Sequence, residues 1–134
     1  MATVNRRASG YAAGMEHLHH WSLEEANALC PYVGECIALL RAARERLRDA
    51  PGAIAMVTGG AWAGREHAQA AVDLVLTLDQ LDELGIIVCD VDAGLVDFPA
   101  LRDGEEIYLS WLVDEPEIAH WHLPGTGFPG RRPL

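Results

Sequence analysis

The segment from Gly94 to Leu134 reads GLVDFPALRDGEEIYLSWLVDEPEIAHWHLPGTGFPGRRPL. Residues alternate with the period of a strand: the set that alternates with Tyr108, Ser110 and Leu112 consists of Ile107, Leu109, Trp111 and Val113. Arg102-Asp103-Gly104 supplies a hairpin turn before that strand. Pro116 turns the chain again, and a last strand follows from Ile118 to Leu123. The segment therefore predicts an antiparallel β-meander.

Upstream of this segment the apolar period is that of helices. Ser22-Leu23-Glu24-Glu25 is a capping box that starts the first helix. We expect Pro31 to kink or restart this helix, and Gly85 to end a second one. The two helices form an antiparallel hairpin. Their apolar stripes exceed what one helix pair can cover, so the hairpin needs a sheet or a second copy of itself.

The predicted fold class is α+β, a long antiparallel helical hairpin followed by a small antiparallel β-meander of three to four strands. We expect residues 1–20 to form a disordered leader and residues 21–134 to form a single domain. Within that domain the predicted helices cover about residues 22–49 and 61–84, the strands lie within 86–123, and the tail 124–134 is irregular.

Composition excludes some partners. The formal net charge is −10, which disfavours nucleic acid and anionic membranes, because both attract basic surfaces. No apolar run approaches the ~20 residues of a membrane span. The three cysteines form no CxxC pair, which favours a reducing compartment. We therefore expect a soluble cytoplasmic protein.

Two histidines mark the one candidate site. His120 and His122 point to the same face of the predicted last strand, ~6–7 Å apart, and Trp121 points to the other face. Two imidazoles can share a divalent metal if a neighbour such as Asp97 adds a carboxylate. Alternatively, both histidines line a half-exposed face and bond to nearby carboxylates. No cofactor besides this metal is suggested, and no catalytic residue is identified.

Charge is distributed unevenly along the predicted hairpin. One end carries Asp79, Asp82 and Glu83, whereas the other end is rich in arginine. This polarity permits head-to-tail or antiparallel self-association, although a solvated acidic face is the simpler interpretation. At the C-terminus, Arg131 and Arg132 either pin the tail onto carboxylates or hold an anionic ligand in bidentate fashion.

The chain resembles an uncharacterised protein family, domain of unknown function 2203, over about residues 20–134. The residues that carry the resemblance are Trp21–Leu29 with Pro31, Gly94–Ala100, Gly104, Trp111, Ile118, His120–His122 and Gly130–Pro133. Many members have Cys-Trp where this chain has Ser110-Trp111, so the resemblance does not support a cysteine-based function. It implies a shape and no chemistry. It does direct attention to the polar motif residues Asn27, Asp97, His120, His122 and Arg131.

The leading functional hypothesis is a small non-catalytic protein that acts through binding, as a homo-oligomer that uses the helical hairpin. The alternative is a divalent-metal-binding protein or metal-assisted hydrolase that uses the His-Trp-His strand.

Overall fold

A computed structural model describes residues 16–48 and 61–134, with the side chains of the second helix described from Gly64 onward. The described part contains helices α1 (Leu23–Arg48) and α2 (Ala61–Glu83) and strands β1 (Ile87–Asp90), β2 (Leu95–Arg102), β3 (Glu105–Leu112), β4 (His120–His122) and β5 (Arg132–Pro133). A short 3-10 helix, Phe128–Gly130, precedes β5. The predicted α+β class, a helical hairpin followed by an antiparallel meander, is confirmed.

Helix α1 begins at the predicted capping box. Ser22 N donates to Glu25 Oε1 at 3.0 Å, and Glu25 N donates to Ser22 Oγ at 3.0 Å. Each side chain thus satisfies a backbone amide that has no partner within the helix. Pro31 lies inside α1, which continues through it to Arg48 without restarting.

The described residues 31–48 and 61–84 form one compact unit, the helical hairpin. Its buried side chains recur at helical spacing: Val33, Cys36, Ile37, Leu40 and Ala43 on α1, and His67, Ala70, Thr77 and Leu81 on α2. Tyr32 OH donates to Gln80 Oε1 at 3.1 Å, and Arg46 Nη2 lies 3.3 Å from Asp73 Oδ2. The early part of α1 therefore lies beside the late part of α2, as an antiparallel hairpin requires.

The second unit contains the described residues 16–30 and Gly85–Leu134. Its sheet has the order β1-β2-β3-β4-β5, with every neighbouring pair antiparallel. Asp103 and Gly104 join β2 to β3 with φ angles of 54° and 81°. Two successive positive φ values are typical of a type I′ turn, whose twist matches that of the flanking strands.

Pro99 lies in a strand with neighbours on both sides, although its ring suits a sheet edge. Strand β1 pairs with β2 only as far as Asp97, so no strand faces Pro99 on that side. Instead, the Trp21 backbone N–H donates to the Pro99 carbonyl at 2.7 Å. Pro99 thus occupies a local edge, where its missing N–H costs no ladder hydrogen bond.

The C-terminal part differs in detail from the expectation. Strand β4 covers His120–His122, which is shorter than the predicted Ile118–Leu123. The tail was expected to be irregular, but Arg132 and Pro133 pair with Trp121 and His120 as β5. A strand of two residues has no sequence period that could have revealed it.

One face of the sheet is apolar. It buries Val96, Phe98, Ala100, Ile107, Leu109, Trp111 and Trp121. Trp21 packs edge-on against Phe98 with ring centroids 5.9 Å apart. Trp121 therefore lies on the core side, opposite the histidines that flank it, as strand alternation predicts.

No helix in residues 16–48 or 61–134 combines the length and apolarity needed to cross a membrane. The single-domain organisation of residues 21–134 stays a prediction. The predicted leader lies mostly in residues 1–15, outside the described part. Its described end, residues 16–20, contacts the side chains of Glu106 and Tyr108 on β3.

Candidate functional site

The second face of the sheet is polar. Asp97 pairs in register with Ser110, Ser110 with His120, and Tyr108 with His122. Because residues opposite each other on neighbouring strands share a face, these side chains lie together. The predicted placement of His120 and His122 on one face agrees with this register, and the structure adds residues from β2 and β3.

Asp97 and His122 form a buried pair at the centre of this face. His122 Nε2 lies 2.9 Å from Asp97 Oδ2, and the exposed fractions of the two side chains are 5% and 8%. His122 Nδ1 lies 2.9 Å from the Leu123 carbonyl oxygen. That oxygen only accepts, so Nδ1 carries a proton.

Cys89 extends the pair toward β1. Its thiol donates to Asp97 Oδ2 across 3.2 Å. Burial, followed by the negative charge of Asp97, raises the pKa of Cys89 to about 12. The group is therefore a thiol at neutral pH, and it lacks the thiolate that a cysteine nucleophile needs.

The segment from Glu16 to Trp21, here called the strap, is anchored on the polar face by Glu106. The backbone N–H groups of Glu16 and His17 donate to its two carboxylate oxygens at 2.9 and 3.0 Å. His20 Nε2 lies 2.8 Å from Glu106 Oε2. Burial alone would raise the pKa of Glu106, but these hydrogen bonds lower it below its usual value.

Tyr108 connects the strap to the buried pair. Its hydroxyl lies 2.9 Å from His17 Nε2, and its ring centroid lies 5.4 Å from that of His122. Burial, then the charges of Glu16 and Glu106, raises the pKa of Tyr108 to about 12. Glu106, Tyr108 and the strap histidines were not predicted from the sequence to belong to a site. The alternation of Glu106, Tyr108 and Ser110 was the signal that could have shown this polar face.

Glu115 and Arg131 close the other side of the polar face. Arg131 Nη2 donates to both Glu115 carboxylate oxygens, at 2.9 and 3.1 Å, and to the Ser110 carbonyl at 3.2 Å. Burial would raise the pKa of Glu115, but the bonds from Arg131 and the Leu112 amide lower it. Arg131 thus holds the tail against a carboxylate, which was one of the two roles considered for it.

The remaining candidates lie elsewhere. Arg132 belongs to the apolar face, where its guanidinium carbon lies 5.3 Å from the centroid of the Trp121 ring. Asn27 Oδ1 accepts a hydrogen bond from Ile118 N at 2.8 Å, which ties the start of α1 to the segment before β4. Both contacts are structural, and neither brings its residue to the buried pair.

The predicted metal ligands come together only in part. Asp97 and His122 are in contact, whereas His120 Nδ1 lies 3.9 Å from Glu115 Oε2. A group of three or more His, Cys, Asp or Glu side chains suited to a metal ion is not found within the described ranges. Both nitrogens of His122 are occupied by oxygen partners, so His122 would have to give up one of them to bind a metal.

Comparison with known proteins identifies the family to which the chain belongs. Neither the curated proteins nor the solved structures contain a match to this chain. A family model described as an uncharacterized conserved protein, DUF2203, matches residues 19–134. This match covers both helices, all five strands and the polar face. The chain belongs to the DUF2203 family of uncharacterized conserved proteins.

Proposed function

We propose that this protein acts by binding rather than by catalysis, and that its working form is a homo-oligomer built on α2. The observation that carries the proposal is an apolar stripe on the exposed side of that helix. Val72, Val75 and Leu76 expose 47%, 55% and 56% of their surface. Contiguous exposed apolar surface of this kind marks interaction sites, because it costs free energy in water.

The stripe has a charge at each end that favours a second copy of the same chain. Arg65, Ala68, Val72, Leu76, Asp79 and Glu83 follow one another at spacings of three and four, and all are exposed. A two-fold axis midway between Val72 and Leu76 sets Val72 of one copy against Leu76 of the other. The same axis sets Arg65 against Glu83, because each lies seven residues beyond its end of the apolar pair. An antiparallel copy therefore matches both the apolar centre and the charged ends.

Two side chains that could have served as nucleophiles support a non-catalytic role. The Cys89 thiol stays protonated at neutral pH because its pKa is raised to about 12. Ser110 is 0% exposed, so its hydroxyl cannot meet a substrate in this conformation. As part of the same proposal, the protein works in the cytoplasm. There its three free cysteines stay reduced, and its net charge of −10 keeps it from nucleic acid and anionic membranes.

Light scattering after gel filtration tests the self-association. At tens of micromolar we expect a molar mass of twice 14.6 kDa, and we expect 14.6 kDa for Leu76→Glu. The matched control is Leu101→Glu, since Leu101 is an exposed leucine of the sheet with 48% of its surface accessible. A wild-type protein with a molar mass of 14.6 kDa at every concentration would contradict the proposed self-association.

The second candidate function is divalent-metal binding on the polar face. It is favoured by the proximity of Asp97 and His122 and by one unused carboxylate oxygen, Asp97 Oδ1, which is buried without a hydrogen-bond partner among the described residues. A buried carboxylate oxygen in that state is a strong ligand for a cation.

Metal analysis of protein purified without a histidine tag tests this candidate. We expect close to one divalent metal per chain, and loss of that metal in both His120→Ala and His122→Ala. Metal content that is negligible, or that both substitutions leave unchanged, would contradict it.

A further inference from the structure

Two arginines on the surface of the sheet have no carboxylate partner within residues 16–48 and 61–134. They are Arg102 at the end of β2 and Arg132 in β5, and both are exposed. Other arginines of the described part form ion pairs: Arg46 with Asp73, Arg48 with Glu45 and Arg131 with Glu115. The chain has 20 acidic residues against 10 basic ones, so an arginine without a carboxylate is the less expected state.

Both guanidinium groups lie over the same ring, that of Trp121. The guanidinium carbon of Arg102 lies 4.5 Å from the ring centroid, and that of Arg132 lies 5.3 Å from it. At these distances the negative face of the ring attracts both cations. The ring itself is packed into the sheet, because Trp121 is only 8% exposed. Trp121 therefore holds two positive charges near each other on the surface.

The position of Arg102 is not set by the acidic residue beside it. Arg102 lies directly opposite Glu105 in the register of β2 and β3, where opposite charges commonly pair. The two side chains form no ion pair, and the guanidinium lies over Trp121 instead. Stacking occupies the flat face of a guanidinium, whereas its N–H donors point outward in the plane of the group. The donors of both arginines thus face solvent and can bind a ligand.

The arrangement of these donors identifies the class of ligand. A guanidinium presents a planar fork of N–H groups that matches the oxygens of one phosphate or carboxylate. Two forks at separate points over one ring therefore match a ligand with two linked anionic groups. A diphosphate joins two such groups through one oxygen, and its tetrahedral phosphates turn their outer oxygens in different directions. A small anion is also compatible with the net charge of −10, since salt screens charges beyond about 8 Å.

We propose that Arg102 and Arg132 bind the diphosphate group of a small molecule. Arg102 donates to one phosphate and Arg132 donates to the other. Trp121 is a positioning residue that orients both guanidinium groups. The ring of Trp121 is buried and covered by the two cations, so it offers no surface on which a nucleobase could stack. The site therefore recognises the diphosphate and not the rest of the molecule, and it is independent of the α2 stripe.

Calorimetric titration of the full chain in metal-free buffer tests the site, with sodium pyrophosphate as the probe. We expect one equivalent to bind, at least about tenfold more tightly than inorganic phosphate, because a single phosphate engages one fork. Adenosine diphosphate should bind within about threefold of pyrophosphate, since its base has no contact with the protein.

Substitutions assign the binding to the two arginines. Arg102→Ala and Arg132→Ala should each weaken pyrophosphate binding at least about tenfold. Arg102→Lys keeps the charge but lacks the planar fork, so it should weaken binding nearly as much. The matched control is Arg48→Ala, which removes an exposed arginine of α1 and should leave the affinity unchanged. Circular dichroism checks that each variant keeps the fold.

Four results would overturn the proposal. The first is no binding of pyrophosphate at millimolar concentration. The second is equal affinity for phosphate and pyrophosphate, which would mean that one fork suffices. The third is a loss in Arg48→Ala as large as in Arg132→Ala, which would assign binding to general charge attraction. The fourth is tighter binding of succinate, which would make the ligand a dicarboxylate.

Discussion

At the scale of single residues, the Asp97–His122 pair determines the character of the polar face. Both side chains are more than nine-tenths buried, and each supplies the hydrogen-bond partner that the other needs. Removal of one member leaves a buried charge or a buried carboxyl group without its partner. Such a loss is much more destabilising than replacement of the whole pair by apolar groups.

We therefore predict that His122→Ala lowers the free energy of unfolding by about 3 kcal/mol in metal-free protein. His120→Ala, a matched change two residues away on the same strand, should cost less than about 1 kcal/mol, because the His120 side chain is 34% exposed and its Nδ1 lies 3.9 Å from Glu115 Oε2, beyond hydrogen-bond distance. Urea denaturation of the two variants measures the difference. Equal costs would show that Asp97 does not depend on His122.

At the scale of elements, the strap is held mainly through one carboxylate. Glu106 accepts three hydrogen bonds from residues 16–20, and its pKa lies below the usual value for a glutamate. A carboxyl group whose pKa is lower in the folded protein stabilises it fully above the pKa of the unfolded chain. That stabilisation is lost as the pH falls through the folded pKa.

The prediction is an acid-induced release of the strap. Below about pH 4.5 its attachment should weaken as Glu106 takes up a proton. Limited proteolysis within residues 16–20 at a series of pH values reports the release. In Glu106→Gln the strap should be cleaved readily even at pH 7, and the acid step should disappear. Persistence of that step in Glu106→Gln would assign it to another group.

The β2–β3 turn makes a separate prediction at this scale. Gly104 has a φ angle of 81°, and a Cβ added there would have no atom within 4 Å. An alanine at this position would therefore strain the backbone without a steric clash. Gly104→Ala should cost about 1 kcal/mol of stability, because L-residues are disfavoured at positive φ. Asp103→Asn should be nearly neutral, since asparagine tolerates that conformation. Thermal unfolding of both variants measures the two changes in stability. A Gly104→Ala variant as stable as the wild type would contradict the type I′ turn.

At the scale of the whole molecule, periodic patterns predicted the elements well and the contacts between distant residues poorly. The capping box, the glycine after α2 and the alternation in β3 are local signals, and each lies where the structure has the corresponding feature. Alternation also placed the two histidines on one face. Alternation could not show that the His122 side chain contacts Asp97, because the partner of a side chain on a sheet depends on the strand register.

The strap and β5 were missed for a related reason. Glu106 and His20 are far apart in the chain, and nothing in the local composition of either predicts the 2.8 Å contact between them. Strand β5 has two residues, which is too short for any period. Both features depend on the finished sheet, whose edges and polar face exist only after β2, β3 and β4 have paired.

At this scale we propose that a second copy of the chain lies antiparallel on the α2 stripe. It accounts for an exposed apolar surface on a helix whose opposite side is already buried against α1. In this proposed arrangement Arg65 of one copy lies opposite Glu83 of the other. A single exposed ion pair such as Arg65 with Glu83 contributes little to the free energy of association, about 0–1 kcal/mol. Exchanging both charges is therefore more informative than removing one of them.

Sedimentation equilibrium of a charge-exchange series tests this claim most directly. The series comprises the wild type, Arg65→Glu, Glu83→Arg and the double variant. We predict that the wild type forms a species of twice 14.6 kDa. Each single change should weaken association about threefold to fivefold by placing like charges opposite each other, and the double variant should restore the wild-type dissociation constant. A wild-type protein that remains at 14.6 kDa, or a double variant weaker than either single one, would contradict the claim.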